Sequence, residues 1–253
     1  MKDMKDMKVF AVHNCKGGVG KTTSAANLAY NMASKGKRVL VIDTDPQSNL
    51  TPYFTRQNEN GKTVRDVFAD PVSIDKCIFR TKYKLIDIIK GSTFLTEKDA
   101  ERSDNLLKEA LNAMSKEYDA VFIDCRPSFE ALARNAITAA DVLLTPIVLD
   151  GYCRDNLSLE HRLYQEITEE HPEHQTEWIV FANKFNNYAS HREILEDLVE
   201  RHDFPLAENC VSERAAVVKA SDLRKPLLKH RYNNMATQDF LDLTDELLLG
   251  KEG

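Results

Sequence analysis

The residues best able to do chemistry lie in one run, Cys15-Lys16-Gly17-Gly18-Val19-Gly20-Lys21-Thr22-Thr23. Three glycines in four positions let a backbone turn tightly enough for its N–H groups to converge on anionic oxygens. A helix opening directly afterwards adds the positive end of its dipole. Lys21 can bridge outer phosphates, and the Thr22 hydroxyl can ligate magnesium. Two further sets of carboxylates belong to the same chemistry. One is Asp43 and Asp45 in Ile42-Asp43-Thr44-Asp45-Pro46-Gln47-Ser48-Asn49-Leu50-Thr51, and the other is Asp124, which closes the apolar run Ala120-Val121-Phe122-Ile123. Carboxylates of this kind hold a divalent cation or a reacting water beside bound phosphates. An Asp-Pro step read alone is equally a turn, and a buried strand that ends in aspartate is common. It is their company with the glycine-rich run that gives them a chemical reading.

Such groups must be carried on strand ends facing one edge of a sheet. Short apolar runs at Val9–His13, Val39–Asp43, Leu85–Ile89, Ala120–Asp124, Val142–Thr145 and Trp178–Ala182 predict strands. Segments of helical period lie between them, over Thr22–Ser34, Asp104–Lys116, Glu130–Ala139, Asn156–Glu170 and His191–Arg201. That alternation predicts an α/β fold, a doubly wound, mostly parallel sheet with helices on both faces. From Pro46 to Tyr83 the chain is polar and broken by Pro52, Gly61 and Pro71, so short helices such as Val64–Phe68 are expected there and no strand. Phe240, Leu243, Leu247 and Leu248 recur at helical spacing beside acidic residues, which predicts a C-terminal helix within 232–249 packed on the body. Residues 1–7 read as a tail. The whole of 1–253 is expected to form one domain.

The chain has 253 residues, 42% hydrophobic and 29% charged, ordinary for a globular protein of α/β type. Its net charge of -6 excludes a surface that is basic throughout, so binding to nucleic acid would be regional. Six basic residues, Arg214, Lys219, Arg224, Lys225, Lys229 and Arg231, stand between positions 214 and 231 against the single acid Asp222. Charge clusters are usually solvated faces, and this one is also a candidate phosphate-backbone contact. Five cysteines without a C-x-x-C pair suggest neither a zinc site nor a disulfide framework. No apolar run reaches the roughly 20 residues that span a bilayer.

The standard phosphate-loop pattern fails in one place, because its first glycine falls on Cys15. The K-G-G-x-G-K-T-T string that stands instead, with its additional lysine at Lys16, resembles the deviant Walker A motif of the ParA/MinD group of P-loop NTPases, and especially small ParA-type partition proteins. The resemblance runs from Val9 to about Leu228, through the D-x-D-P-Q-x-N-x-T element at Asp43–Thr51, the Walker B strand ending at Asp124, and a late stretch from Ser212 to Leu227. It implies an ATPase with ATP and Mg2+ as cofactors. Nucleotide would be held by Lys16, Gly17, Gly18, Val19, Gly20, Lys21, Thr22 and Thr23, with Asn183 at the adenine, and metal by Thr22, Asp43 and Asp124. Catalysis would rest on Lys16, Lys21 and Asp45, with Lys16 reaching the other subunit's phosphates in an ATP-dependent homodimer and Asp45 orienting the attacking water. It further implies non-specific DNA binding by Arg214, Lys219, Arg224, Lys225, Lys229 and Arg231, a ParB-like activator protein, and a cytoplasmic, nucleoid-associated location without membrane attachment. Arg126 departs from the double-proline form that follows Walker B in that group. Other readings stay open: a nucleotide-gated scaffold, a MinD-like positioning ATPase, disfavoured by the acidic C-terminal helix, and a small-molecule kinase, disfavoured by Lys16 and the D-x-D-P-Q string. An iron-protein reductase is discounted because Cys125 abuts Asp124.

Overall fold

A computed structural model describes residues 7–55 and 61–249. The expected tail falls outside these residues except for Met7, which packs on the core. Strand β1 (Lys8–Val12) runs through the middle of a seven-stranded sheet, and helix α1 (Lys21–Ser34) returns to β2 (Val39–Asp43). Two short helices, α2 (Thr51–Phe54) and α3 (Val64–Ala69), and a 3₁₀ turn (Pro71–Cys77) lead to β3 (Ile78–Arg80) and β4 (Ile86–Ile89). Then come α4 (Leu106–Ala113), β5 (Ala120–Asp124), α5 (Ala131–Thr138), β6 (Val142–Ile147), α6 (Cys153–Glu170), β7 (Glu177–Ala182), α7 (Ala189–Arg201), α8 (Ala215–Asp222), α9 (Leu227–His230) and α10 (Met235–Leu249).

The sheet order is β3-β4-β2-β5-β1-β6-β7, parallel throughout except where β3 runs against β4. Both faces are covered, so strand residues are apolar on either side. In β1, Val9 and Ala11 enter a core shared with α3, α4, α5 and α6, while Phe10 and Val12 enter a second core built with α1 and α10. This is the alternation that a two-residue period imposes on a strand buried from above and below. Helix α10 buries Ala236, Phe240, Leu243 and Leu247, and a 2.7 Å ion pair joins its Asp245 to Lys35, the C-cap of α1.

Strand β3 corrects the expectation that no strand lies between Pro46 and Tyr83. Its three residues, Ile-Phe-Arg, are too few to show a period, and only the β4 edge makes them a strand. The small helices α8 and α9 likewise lie in a segment whose charge hid its helical period. The Leu85–Ile89 strand begins one residue late because Leu85 takes a left-handed conformation, φ 66°.

The stack of Phe10 on Phe122, centroids 4.8 Å apart, joins β1 to β5 in the centre of the sheet, with both rings buried. Phe122→Ala should therefore cost about 3–5 kcal/mol of stability, read as a lower urea midpoint with unchanged slope; a loss within the error of the denaturation curve would show that the second core does not depend on this stack.

Candidate functional site

Three strand ends define the site. Val12 of β1, Asp43 of β2 and Asp124 of β5 stand side by side in register, Asp124 in the middle. Beyond Val12 the chain turns through Cys15–Gly20 and enters α1. Gly18 and Gly20 have φ of 78° and 97°, a left-handed backbone that other residues adopt only under strain. Gly20 serves as the N-cap of α1, leaving the first-turn N–H groups directed at the loop mouth.

Lys21 is buried, its Nζ donating to the carbonyls of Asn14 at 2.8 Å and Lys16 at 3.1 Å. Burial pulls its pKa down, and the nearby Asp124 carboxylate pulls the other way. Lys16 reaches outward to an ion pair with Asp150, half-exposed and hence weak. Asp43 has a structural partner: its Oδ2 accepts from the Thr51 backbone N–H at 2.8 Å and from the Thr51 hydroxyl at 2.7 Å. Its Oδ1 and both oxygens of Asp124 are buried without a protein hydrogen bond. The Asp124 pKa is held well above the usual carboxylate range, first by burial and then by the Asp43 charge, with the Thr22 hydroxyl and Lys21 opposing. Asp43 is raised likewise, first by burial. A divalent cation at the mouth of the loop is the species that such orphaned, mutually repelling oxygens fit.

The loop and Asp45 open into one cavity of about 540 Å³, with Asp43 and Asp124 buried behind it. Gly17, Gly18, Gly20, Lys21, Thr22, Thr23, Asp45 and Asn183 all line it, as do Pro127, Arg214 and Arg224. Asp45 keeps one oxygen on the Gln47 N–H at 2.9 Å. Asn183, the residue expected at the adenine, lies at the site and bonds the loop itself. Its Nδ2 donates to the Val19 carbonyl at 2.7 Å, and its Oδ1 accepts from the Lys184 N–H at 2.9 Å. Lys184, which the sequence reading missed, donates its Nζ to the Gly18 carbonyl at 2.7 Å from a left-handed backbone, φ 54°. The end of β7 thus braces the glycine loop. The only trace of Lys184 in the sequence is its place after a strand-end asparagine.

A second brace was also missed. Glu160 of α6 is wholly buried, its Oε1 accepting from the Cys15 N–H and its Oε2 paired with His13 Nδ1 at 2.8 Å. Burial would raise the Glu160 carboxyl, but the His13 charge and hydrogen bond outweigh it and hold the carboxyl low. The Cys15 thiol is pushed up to about 12, first by burial and then by Glu160. Cys125 is buried and pushed higher still, by burial and then by Asp124.

The basic residues separate into two groups. Arg214 and Arg224 face the cavity, whereas Lys219, Lys225, Lys229 and Arg231 are exposed around α8 and α9. Lys82 joins the second group: its pKa is lowered, first by burial and then by the nearby Lys225. Among the described residues no helix is long and apolar enough to cross a membrane.

A parallel sheet with a glycine-rich loop closing β1 onto a helix, a lysine at the end of that loop, and aspartates ending β5 beside β1 and β2 next to β5 defines a P-loop nucleoside-triphosphatase fold. Comparison with known proteins is more specific. A family model described as an AAA domain matches residues 7–176, and the chain belongs to that family, with relatives named ParA and Soj. The chromosome partitioning protein ParA of Myxococcus xanthus is 27% identical over 95% of this chain and 88% of its own. The sporulation initiation inhibitor protein Soj of Bacillus subtilis is 36% identical over 60% of this chain and 62% of its own. Among solved structures, apo McdA of Cyanthece superposes with a TM-score of 0.84 at 22% identity, covering 96% of this chain and 99% of that one. Cobyrinic acid a,c-diamide synthase of Mycobacterium smegmatis, with bound ADP and magnesium, gives 0.80 at 23% identity over 96% and 94%. One architecture therefore serves differently named proteins, and function must be argued from the site.

A Cβ on Gly20 would lie inside contact distance of Asn183 Nδ2 in a backbone that already disfavours side chains. Gly20→Ala should cost about 1–3 kcal/mol, and adding Asn183→Ala should recover part of that loss by removing the clash. Equal stability of the single and double variants in urea would disprove the brace.

Proposed function

We propose that this protein is a magnesium-dependent ATPase of the ParA type that pairs with a second copy when ATP is bound, binds DNA without sequence preference in that state, and is released by hydrolysis that a ParB-like partner stimulates. The single observation that carries the nucleotide reading is Asp124, buried with neither oxygen satisfied, beside Lys21 and Thr22 at the mouth of the glycine loop. Buried carboxylates of this kind call for a cation, and the loop amides and Lys21 call for phosphate. The ATP and magnesium assignment is supported by the ADP and magnesium held by a protein of the same fold.

In this reading Thr22 and Asp124 hold Mg2+, with Asp43 acting through its free Oδ1, since Thr51 occupies the other oxygen. The cation lowers the charge of the outer phosphates and makes both aspartates better anions. Gly17–Thr23 supply amides and hydroxyls to the phosphates, and Lys21 exchanges its carbonyl partners for phosphate oxygens. Asp45, at the cavity wall, positions water for in-line attack on the terminal phosphorus. Positioning and charge stabilisation carry most of phosphoryl transfer, so a carboxylate that only orients water suffices. Lys16 leaves Asp150 for the phosphates of the partner subunit. That exchange costs little, because an exposed ion pair is worth about 0–1 kcal/mol.

Arg214, Lys219, Arg224, Lys225, Lys229 and Arg231 are the proposed DNA contacts, with the outward-facing four best placed. Such cations act by releasing counterions from the phosphate backbone. By this reading the protein is one ATPase domain, cytoplasmic and associated with the nucleoid in its ATP state.

Lys16→Ala should still bind ATP but form no ATP-dependent dimer, a result readable by light scattering on a sizing column; dimers of normal yield would remove Lys16 from the interface. Duplex DNA of arbitrary sequence should bind the wild type only with ATP and with steep salt dependence, and replacing Lys225 or Lys229 by alanine should lower the log–log salt slope by about 1. ATP dimers that ignore DNA at every salt concentration would favour a scaffold that positions cargo on another surface.

A further inference from the structure

His13 and Glu160 form a buried ion pair that belongs to neither phosphate, metal nor water, and its connections are unusual for a structural pair. His13 is wholly buried, and both ring nitrogens face acceptors at 2.8 Å: Glu160 Oε2 at Nδ1 and the Ser128 carbonyl at Nε2. An imidazole between two acceptors is satisfied on both sides only when each nitrogen carries a proton. The other Glu160 oxygen accepts from the N–H of Cys15, the residue before Lys16. A continuous chain therefore runs from the glycine loop through α6 and His13 to the segment after β5.

That segment, 125–130, is suspended between few anchors. The Cys125 N–H donates to the Val12 carbonyl at 3.3 Å, and Arg126 bonds Glu97 at 2.5 Å, whose second oxygen accepts from the Leu132 N–H at 2.8 Å. Pro127 lines the same cavity as the loop. Glu160 and His13 give a displacement of the Cys15 amide a hydrogen-bonded route into this wall, beside the bond from Cys125 to the end of β1.

We infer that His13 and Glu160 are positioning residues that couple occupation of the glycine loop to the placement of residues 125–130 at the cavity wall. The inference rests on the proposal that the loop binds ATP. Neither side chain lines the cavity. Their effect falls on turnover through the wall that Pro127 presents, and not on affinity.

The test is hydrogen exchange on the full-length protein with ATP and Mg2+, alongside equilibrium ATP titration and steady-state hydrolysis. In the wild type, ATP should slow exchange both in the glycine loop and across 125–130. His13→Ala should keep the loop response and bind ATP with little change, lose the response at 125–130, and turn over more slowly by as much as about 100-fold. Glu160→Gln keeps an acceptor for Cys15 and gives an amide donor to a neutral His13, whose Nε2–H still reaches Ser128, so it should retain most of the coupling. If His13→Ala does not fold, His13→Gln replaces it, since its one amide nitrogen cannot serve both acceptors; the same losses are expected. A folded His13 variant with wild-type turnover and a wild-type response at 125–130 overturns the inference. A wild type whose loop responds while 125–130 does not also overturns it, and one whose loop ignores ATP overturns the nucleotide reading itself.

Discussion

Two aspartates end adjacent strands in the middle of a doubly covered sheet, and the rest of the site answers to their charge. Asp43 and Asp124 are Cα partners at the ends of β2 and β5, both wholly buried, each raising the cost of ionising the other. A carboxylate in such a place must be neutralised, paired or joined to a cation. Thr51 satisfies one oxygen of Asp43 and Lys21 supplies positive charge nearby, itself held in low polarity. Three oxygens stay without a protein partner. The fold thus stores a demand for positive charge at the point where a glycine loop demands negative charge, and metal-bound polyphosphate satisfies both at once.

A loop with left-handed glycines has little intrinsic rigidity, and preorganised amides require that it hold one shape. Neighbouring elements impose the shape. The β7 end grips Gly18 and Val19 through Lys184 and Asn183, α6 grips Cys15 through Glu160, and the Asn14 side chain holds the Lys16 N–H at 2.8 Å and the Pro146 carbonyl at 2.9 Å. Strands β6 and β7 and helix α6 are consequently part of the site although they contribute no residue to the recognisable motifs.

The difference between what the sequence displayed and what it concealed follows from the range of each interaction. The alternating fold, the loop, Asp45 and Asp124 were legible because contiguous residues encode them: a period, a glycine spacing, a carboxylate at the end of an apolar run. Strand β3 was illegible because three residues carry no period and the β4 edge creates it. Glu160, His13 and Lys184 were illegible because their partners lie 145, 147 and 166 positions away in the chain. A buried glutamate within the charged helix Cys153–Glu170 looks like any solvated one until the packing is known. Asn183 was legible as a residue at the site, but its hydrogen bond to the Val19 carbonyl was not, since position at a strand end does not say where an amide points.

The basic segment gains a physical sense from its position. Helix α8 stands over the cavity, so that Arg214 and Arg224 look towards the glycine loop while Lys219, Lys225 and Lys229 look outward, and Thr23 at the head of α1 lies 3.4 Å from the Ser221 hydroxyl of α8. An anion in the cavity would lie against the two arginines at either end of the helix that carries Lys219. Any ligand of the outer face would, by the reciprocity of linked equilibria, change affinity for the anion by the same factor. Such coupling would need no relay across the molecule, because the cavity-facing arginines and the outward lysines lie on or beside the same two short helices, α8 and α9.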